Sequence, residues 1–274
     1  MRLTCIVMLA LFSTSLMAEV PFCSRTRTSI NDLLAQPENR LDFKNRGGLF
    51  GGGVCWWHSR LQRSSLYLAR FAPDRPKPDL NQIKQIIYSL KKMNRVVVIP
   101  GYSDFLSFSH DHQRSIQNML EFWQKEDGLL NFQWLRGISG RYVLPAKELE
   151  ERMHMIYRIY QQSPSPLWVM AQMKGITSHS YLIRQIEVLP SGYVLEVVDS
   201  NKPKELGYAR YQFGDQSLLV DGSKKNFIPY VGFQEDFRRI AGSLAAYCKP
   251  QQGFIETEPL IEESIPAGEI ETNL

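Results

Sequence analysis

The chain has 274 residues, 43% of them apolar and 22% charged, with a formal net charge of +4. This balance fits a globular body and excludes a wholly disordered or low-complexity protein. Its basic residues are scattered among acids with no aromatic-basic stripe, so nucleic acid is not an expected partner.

Residues 1–18 open on Met1-Arg2, continue as an apolar run from Leu3 to Leu11, and end with Leu16 and Ala18 placed for a cut before Glu19. That is the pattern of a secretory signal peptide, and the apolar stretch is short for a bilayer anchor. A secreted or periplasmic protein is expected, with no stable membrane insertion after cleavage. Residues 19–249 form the expected domain, large enough for one good-sized core. Residues 250–274 carry six acids (Glu256, Glu258, Glu262, Glu263, Glu269 and Glu271) with no Lys or Arg, and read as a disordered acidic tail. Without them the rest of the chain sets 32 basic residues against 22 acids. Such a body suits an anionic polymer or lipid surface, and equally a plain solvated surface.

Cys5 leaves with the signal, so Cys23, Cys55 and Cys248 remain. An odd count in an exported chain leaves one thiol unpaired or pairs it between chains. Cys23 and Cys248 bracket the domain; either they bridge, leaving Cys55 free, or they stand as separate thiols.

Cys55 follows Gly51-Gly52-Gly53-Val54 and opens a segment in which Trp57, Leu61, Ser64, Leu68 and Ala72 recur at helical spacing. Arg60, Arg63, Tyr67 and Arg70 fall on the other face. A thiol at a helix N-terminus sits among unpaired N–H groups that favour the thiolate. Asp79 is placed to cap a second helix with Ile83, Ile87 and Leu90 inward. A short strand is expected at 95–99, and helices at 113–125 and 146–160. After Ser163-Pro164-Ser165-Pro166 the period changes to two, with strands expected at 167–173, 180–188, 193–198, 207–213 and 227–233, then a closing helix at 235–247. Helices first and an antiparallel sheet second is an α+β order.

His179 opens one of these β-rich runs and Asp199 ends the next. The order Gly53-Val54-Cys55-Trp56, then His179, then Val198-Asp199-Ser200-Asn201, resembles the papain-like cysteine peptidase superfamily, in the bacterial form with Asp in the third place. The resemblance implies a helical half packed on a C-terminal antiparallel sheet, with an active-site cleft between them. It implies Cys55 as nucleophile, His179 as base and Asp199, or Asn201 in its stead, as orienter, with no cofactor. Papain-like enzymes place a glutamine shortly before the cysteine as oxyanion donor. Here Asn45 is the nearest amide, so the resemblance gives it that role.

The expected activity is hydrolysis of an amide bond in a protein, peptide or peptidoglycan peptide. A transglutaminase-like acyl transferase, a peptidoglycan amidase or endopeptidase, and a non-catalytic binding scaffold are the alternatives. His58, one helical turn past Cys55, is expected on the helix surface. His110 and His112 flank Asp111 without a nearby Cys or Glu, and no metal site is expected there. Trp56 and Trp57 are expected to pack the helix.

Overall fold

The computed structural model describes residues 21–47, 53–130, 142–174, 178–221, 226–231 and 235–249. The expected signal peptide at 1–18 and the expected disordered tail at 250–274 lie outside them.

The first part is helical. Helix α1 (Arg27–Ala35) starts at a Thr26/Ser29 capping box. Helix α2 (Cys55–Leu68) runs through the centre, and its N-cap, Val54, provides no side-chain cap. Expected to continue to Ala72, α2 instead stops at Leu68, and β1 (Ala69–Ala72) pairs in parallel with β2 (Val97–Pro100). Between them α3 (Leu80–Lys92) is capped by Asp79, whose carboxylate accepts from the Asn81 and Gln82 N–H groups. Helices α4 (Phe105–Asp111), α5 (Gln113–Leu130) and α6 (Ala146–Gln162) follow.

The second part corrects the expected architecture. Strands β3 (Leu167–Gln172), β4 (Ser178–Leu189), β5 (Gly192–Asp199), β6 (Leu206–Gln212), β7 (Leu218–Val220) and β8 (Asn226–Val231) form a closed antiparallel barrel, before α7 (Glu235–Cys248). This is not a papain-like helical half packed on an open sheet. The physical reason is that β3 pairs on both sides, with β4 from Leu167↔Ile183 to Gln172↔Ser178 and with β8 from Val169↔Val231 to Gln172↔Ile228. First and last strands therefore satisfy each other and leave no open edge.

Alternation divides the barrel strands between two cores. Leu167, Val169 and Ala171 of β3, Tyr181 and Ile183 of β4, and Tyr193, Leu195 and Val197 of β5 share the barrel's core. Trp168, Leu182 and Val198, from the opposite faces of those strands, join the helical core. Helix α6 belongs with the barrel despite its place in the chain: Leu149, Met153 and Ile156 are buried against the barrel residues. Each such fully buried side chain contributes roughly 1.5–3 kcal/mol.

Helix α2 is buried on nearly every side. Arg63, expected on an outer face with Tyr67, is fully buried, and Tyr67 donates its hydroxyl to the Ser165 carbonyl. Arg63 and Arg60 both pair with Asp236 of α7, Arg60 at 3.0 and 2.7 Å. Two cations converging on one buried carboxylate fasten the central helix to the last one.

A disulfide joins Cys23 to Cys248, and Cys55 is the free cysteine among the described residues. The bond is compatible with an oxidising, exported location. No described helix is long and apolar enough to cross a membrane.

Candidate active site

The segment leading to the site, residues 39–45, belongs to no sheet, and side chains from neighbouring helices satisfy its backbone. Gln62 accepts from the Leu41 N–H and donates to the Asn39 carbonyl, both at 2.7 Å. His58, one turn earlier on α2, meets the Phe43 carbonyl through Nε2 at 2.9 Å. Ser109 Oγ accepts from the Asp42 N–H at 2.9 Å. His58 is therefore an interior residue, a correction to its expected surface position. Burial drives its imidazole down to about 4, against the opposing effect of the Phe43 hydrogen bond, so at neutral pH the ring is uncharged.

This ladder delivers Asn45 to the candidate nucleophile, Cys55. The Asn45 N–H donates to the Ser200 carbonyl at 2.6 Å, its Oδ1 accepts from the Val54 N–H, and its Nδ2 donates to Asn201 Oδ1 at 3.2 Å. Gly53 has φ +88°, and a Cβ there would stand 2.4 Å from Asn45 Nδ2. Glycine thus fits both the left-handed backbone and the close amide. Expected as an oxyanion donor, Asn45 is instead engaged as a clamp between the residue before Cys55 and the residues after Asp199.

Cys55 is the first residue of α2 and is half-buried. His179 lies on β4 and is buried; Asp199 is the last residue of β5. Tyr181 is the register partner of Asp199 across β4 and β5, and His179 lies two residues before it on the same face. The result is a contact of 2.6 Å between His179 Nε2 and Asp199 Oδ1. Tyr181 packs edge-on to the imidazole at 4.7 Å. Cys55 lies beside the same imidazole and helps to raise its basicity. With Nε2 turned to Asp199, Nδ1 is the nitrogen that serves the sulfur.

Asn201 also approaches His179, with Nδ2 at 3.5 Å from Nε2. The amide assignments decide between the two candidate orienters. Asn45 must present Oδ1 to the Val54 N–H, so its Nδ2 faces Asn201 Oδ1. Asn201 then turns its own NH₂ toward His179 and cannot accept from a protonated Nε2. Asp199 is the acceptor, and the Asn201 N–H supports it at 2.7 Å.

The electrostatics follow. Burial alone would lower the basicity of His179, but the Asp199 and Cys55 hydrogen bonds and their charges outweigh it and raise the imidazole to about 9. Burial pushes the Asp199 carboxyl upward, yet the His179 hydrogen bond and charge, the Asn201 N–H and Lys202 hold it below its ordinary value. An anionic carboxylate beside a cationic imidazole is the arrangement that stabilises a thiolate partner.

Other flagged residues go elsewhere. His110 meets Asp42 at 2.9 Å, Asp111 meets Lys77 at 2.8 Å, and His112 meets Tyr102 at 2.8 Å. Among the described residues no group of three or more His, Cys, Asp or Glu side chains is placed to hold a metal ion. Trp57 is buried edge-on against Trp123, and Trp56 packs edge-on against Trp168 at 4.7 Å. The supporting roles of His58 and Gln62 were missed in the sequence; their i, i+4 spacing on a helix with no polar face to spare was the available signal.

Comparison with protein-family models, with curated proteins and with solved structures returns no match to this chain.

Proposed function

We propose that the protein is an exported cysteine hydrolase that cleaves an amide bond through a Cys55 acyl-enzyme. The observation that carries this is a single imidazole, His179, held by Asp199 at 2.6 Å beside the only free cysteine among the described residues, at the start of α2. What is carried over from papain-like peptidases is the Cys-His-Asp chemistry, and not their architecture.

The cycle follows from these groups. The Cys55 proton passes to His179 Nδ1, and Asp199 stabilises the imidazolium. The thiolate attacks the substrate carbonyl carbon, and the carbonyl oxygen takes the negative charge. N–H groups of the first turn of α2 stabilise it; losing one such donor typically costs about 3–4 kcal/mol. Collapse breaks the C–N bond, and His179 returns its proton to the departing amine. Water then gives a proton to His179 and its oxygen to the thioester carbon, and the sulfur leaves as thiolate. Asn45 and Asn201 position the two loops that carry Cys55 and Asp199 and touch no reacting atom.

The test is iodoacetamide alkylation of the purified protein across pH, with the site mapped by mass spectrometry. Cys55 should be the residue labelled, and His179→Ala should slow its labelling at neutral pH by roughly tenfold or more while leaving the fold intact. Equal rates in the wild type and in His179→Ala would overturn the proposal.

A further inference from the structure

Beside the Cys55, His179 and Asp199 set opens a cleft of about 310 Å³, bounded by Asp42, Lys44 and the run Asn201–Glu205. Its inner wall is shared with the site, because Asn201 lies 3.5 Å from the His179 ring. Lys44 directly precedes the Asn45 clamp and Lys202 directly follows Asn201. The same hydrogen bonds that fix the nucleophile therefore fix where these two ammonium groups emerge.

The charges in the cleft are not balanced. Three lysines, Lys44, Lys202 and Lys204, face two acids. Asp42 is already engaged by Lys204 at 2.5 Å and by His110 at 2.9 Å. Glu205 reaches Lys202 only at 3.9 Å, and both side chains are about two-thirds exposed or more, at 68% and 73%. Such a pair holds its members weakly. Lys44 is exposed and makes no ion pair among the described residues. One cation, Lys44, thus remains for something that is not part of the chain, with Lys202 only loosely held beside it, at the rim of the candidate active site.

We infer that this cleft is a substrate subsite for a carboxylate, so that the preferred substrate is an acidic peptide carrying a Glu-like or Asp-like side chain near the scissile amide. The inference rests on the cysteine-hydrolase reading and adds a substrate class to it. Lys44 and Lys202 are the specificity-determining residues. Because both are solvent-exposed, the preference should be moderate and sensitive to salt, since exposed charges are screened over about 10 Å at 0.1 M ionic strength.

The experiment uses matched tripeptidyl chloromethyl ketones that differ only in Glu or Gln, placed at each position in turn. Second-order rates of Cys55 alkylation are measured on the mature protein at low and high ionic strength, and again on Lys44→Gln/Lys202→Gln. At one position the Glu reagent should react roughly three- to tenfold faster than its Gln twin at low salt, a preference of the size exposed ion pairs provide. The preference, read as the Glu-to-Gln rate ratio within each protein because Lys202 also acts on Asp199, should shrink at high salt and vanish in the double variant. Equal rates for Glu and Gln reagents would overturn the subsite and leave the hydrolase reading standing. A Glu preference that persists in the double variant would also overturn it, because the attraction would then come from His179. Failure of every reagent to label Cys55 would overturn both.

Discussion

His58 and His179 occupy the same corner of the molecule, are both buried, and are pushed in opposite directions. His58 faces a backbone carbonyl, a neutral acceptor that supports either state of the ring only modestly, and burial takes it down to about 4. His179 faces a carboxylate and a thiol, and the charged partner overcomes the same burial and takes it to about 9. Burial by itself does not say what a histidine does; the formal charge of its partner does. One ring is a neutral strut; the other is held in the cationic form that the proposed mechanism uses.

The comparison breaks most directly at Asp199. Asp199→Ala should leave His179 in the position of His58, buried without an anion. Turnover should fall on the order of a thousandfold or more, and the alkaline limit of activity should move down from about pH 9, read from a pH profile of amide hydrolysis. Full turnover in Asp199→Ala with loss in Asn201→Ala would transfer the orienting role to Asn201.

Stability should separate the two rings next. His58 binds its proton near pH 6.5 when unfolded and near 4 when folded, so the unfolded state holds more protons in between. Stability should therefore fall as pH drops from about 6.5 to about 4, by at most about 3 kcal/mol, and stay level below. His179 has the opposite sign: its contribution is complete below about pH 6.5 and is lost as pH rises through about 9. Urea denaturation across pH should show the acid slope removed in His58→Gln and the alkaline slope removed in His179→Gln. An acid slope that survives in His58→Gln would place its origin elsewhere.

Asn45 gives a smaller effect that sharpens the picture. Asn45→Ala strands the buried Val54 N–H and should destabilise the fold by about 1–3 kcal/mol in the same denaturation assay. Asn45→Asp keeps that acceptor and loses the contact to Asn201, so it should retain most of the stability. If Asn45→Asp fell as far as Asn45→Ala, the Val54 contact would not be the part that matters.

The catalytic candidates were legible because their chemistry is local: a cysteine after glycines at a helix start, and a histidine and an acid on successive β-rich runs. The choice of Asp199 over Asn201 was not, because it depends on how two amides fix each other's orientation through Val54. Barrel closure was hidden for a different reason. It rests on pairing between β3 and β8, distant in sequence, and on β7, whose three residues carry no period. Helix α6 showed its apolar stripe clearly, but a stripe does not name the core that receives it. The polar residues of α2 misled outright: Arg63 reads as a surface residue until Asp236 is found, far along the chain.

The Cys23–Cys248 bond has a topological consequence. It closes a covalent ring over a sequence separation of 225 residues, which includes Cys55, His179 and Asp199. One peptide-bond cut anywhere inside that ring opens it without dividing the molecule. In surroundings rich in proteolytic enzymes, a nicked molecule stays in one piece. Its two fragments would part on a gel only after a reductant is added.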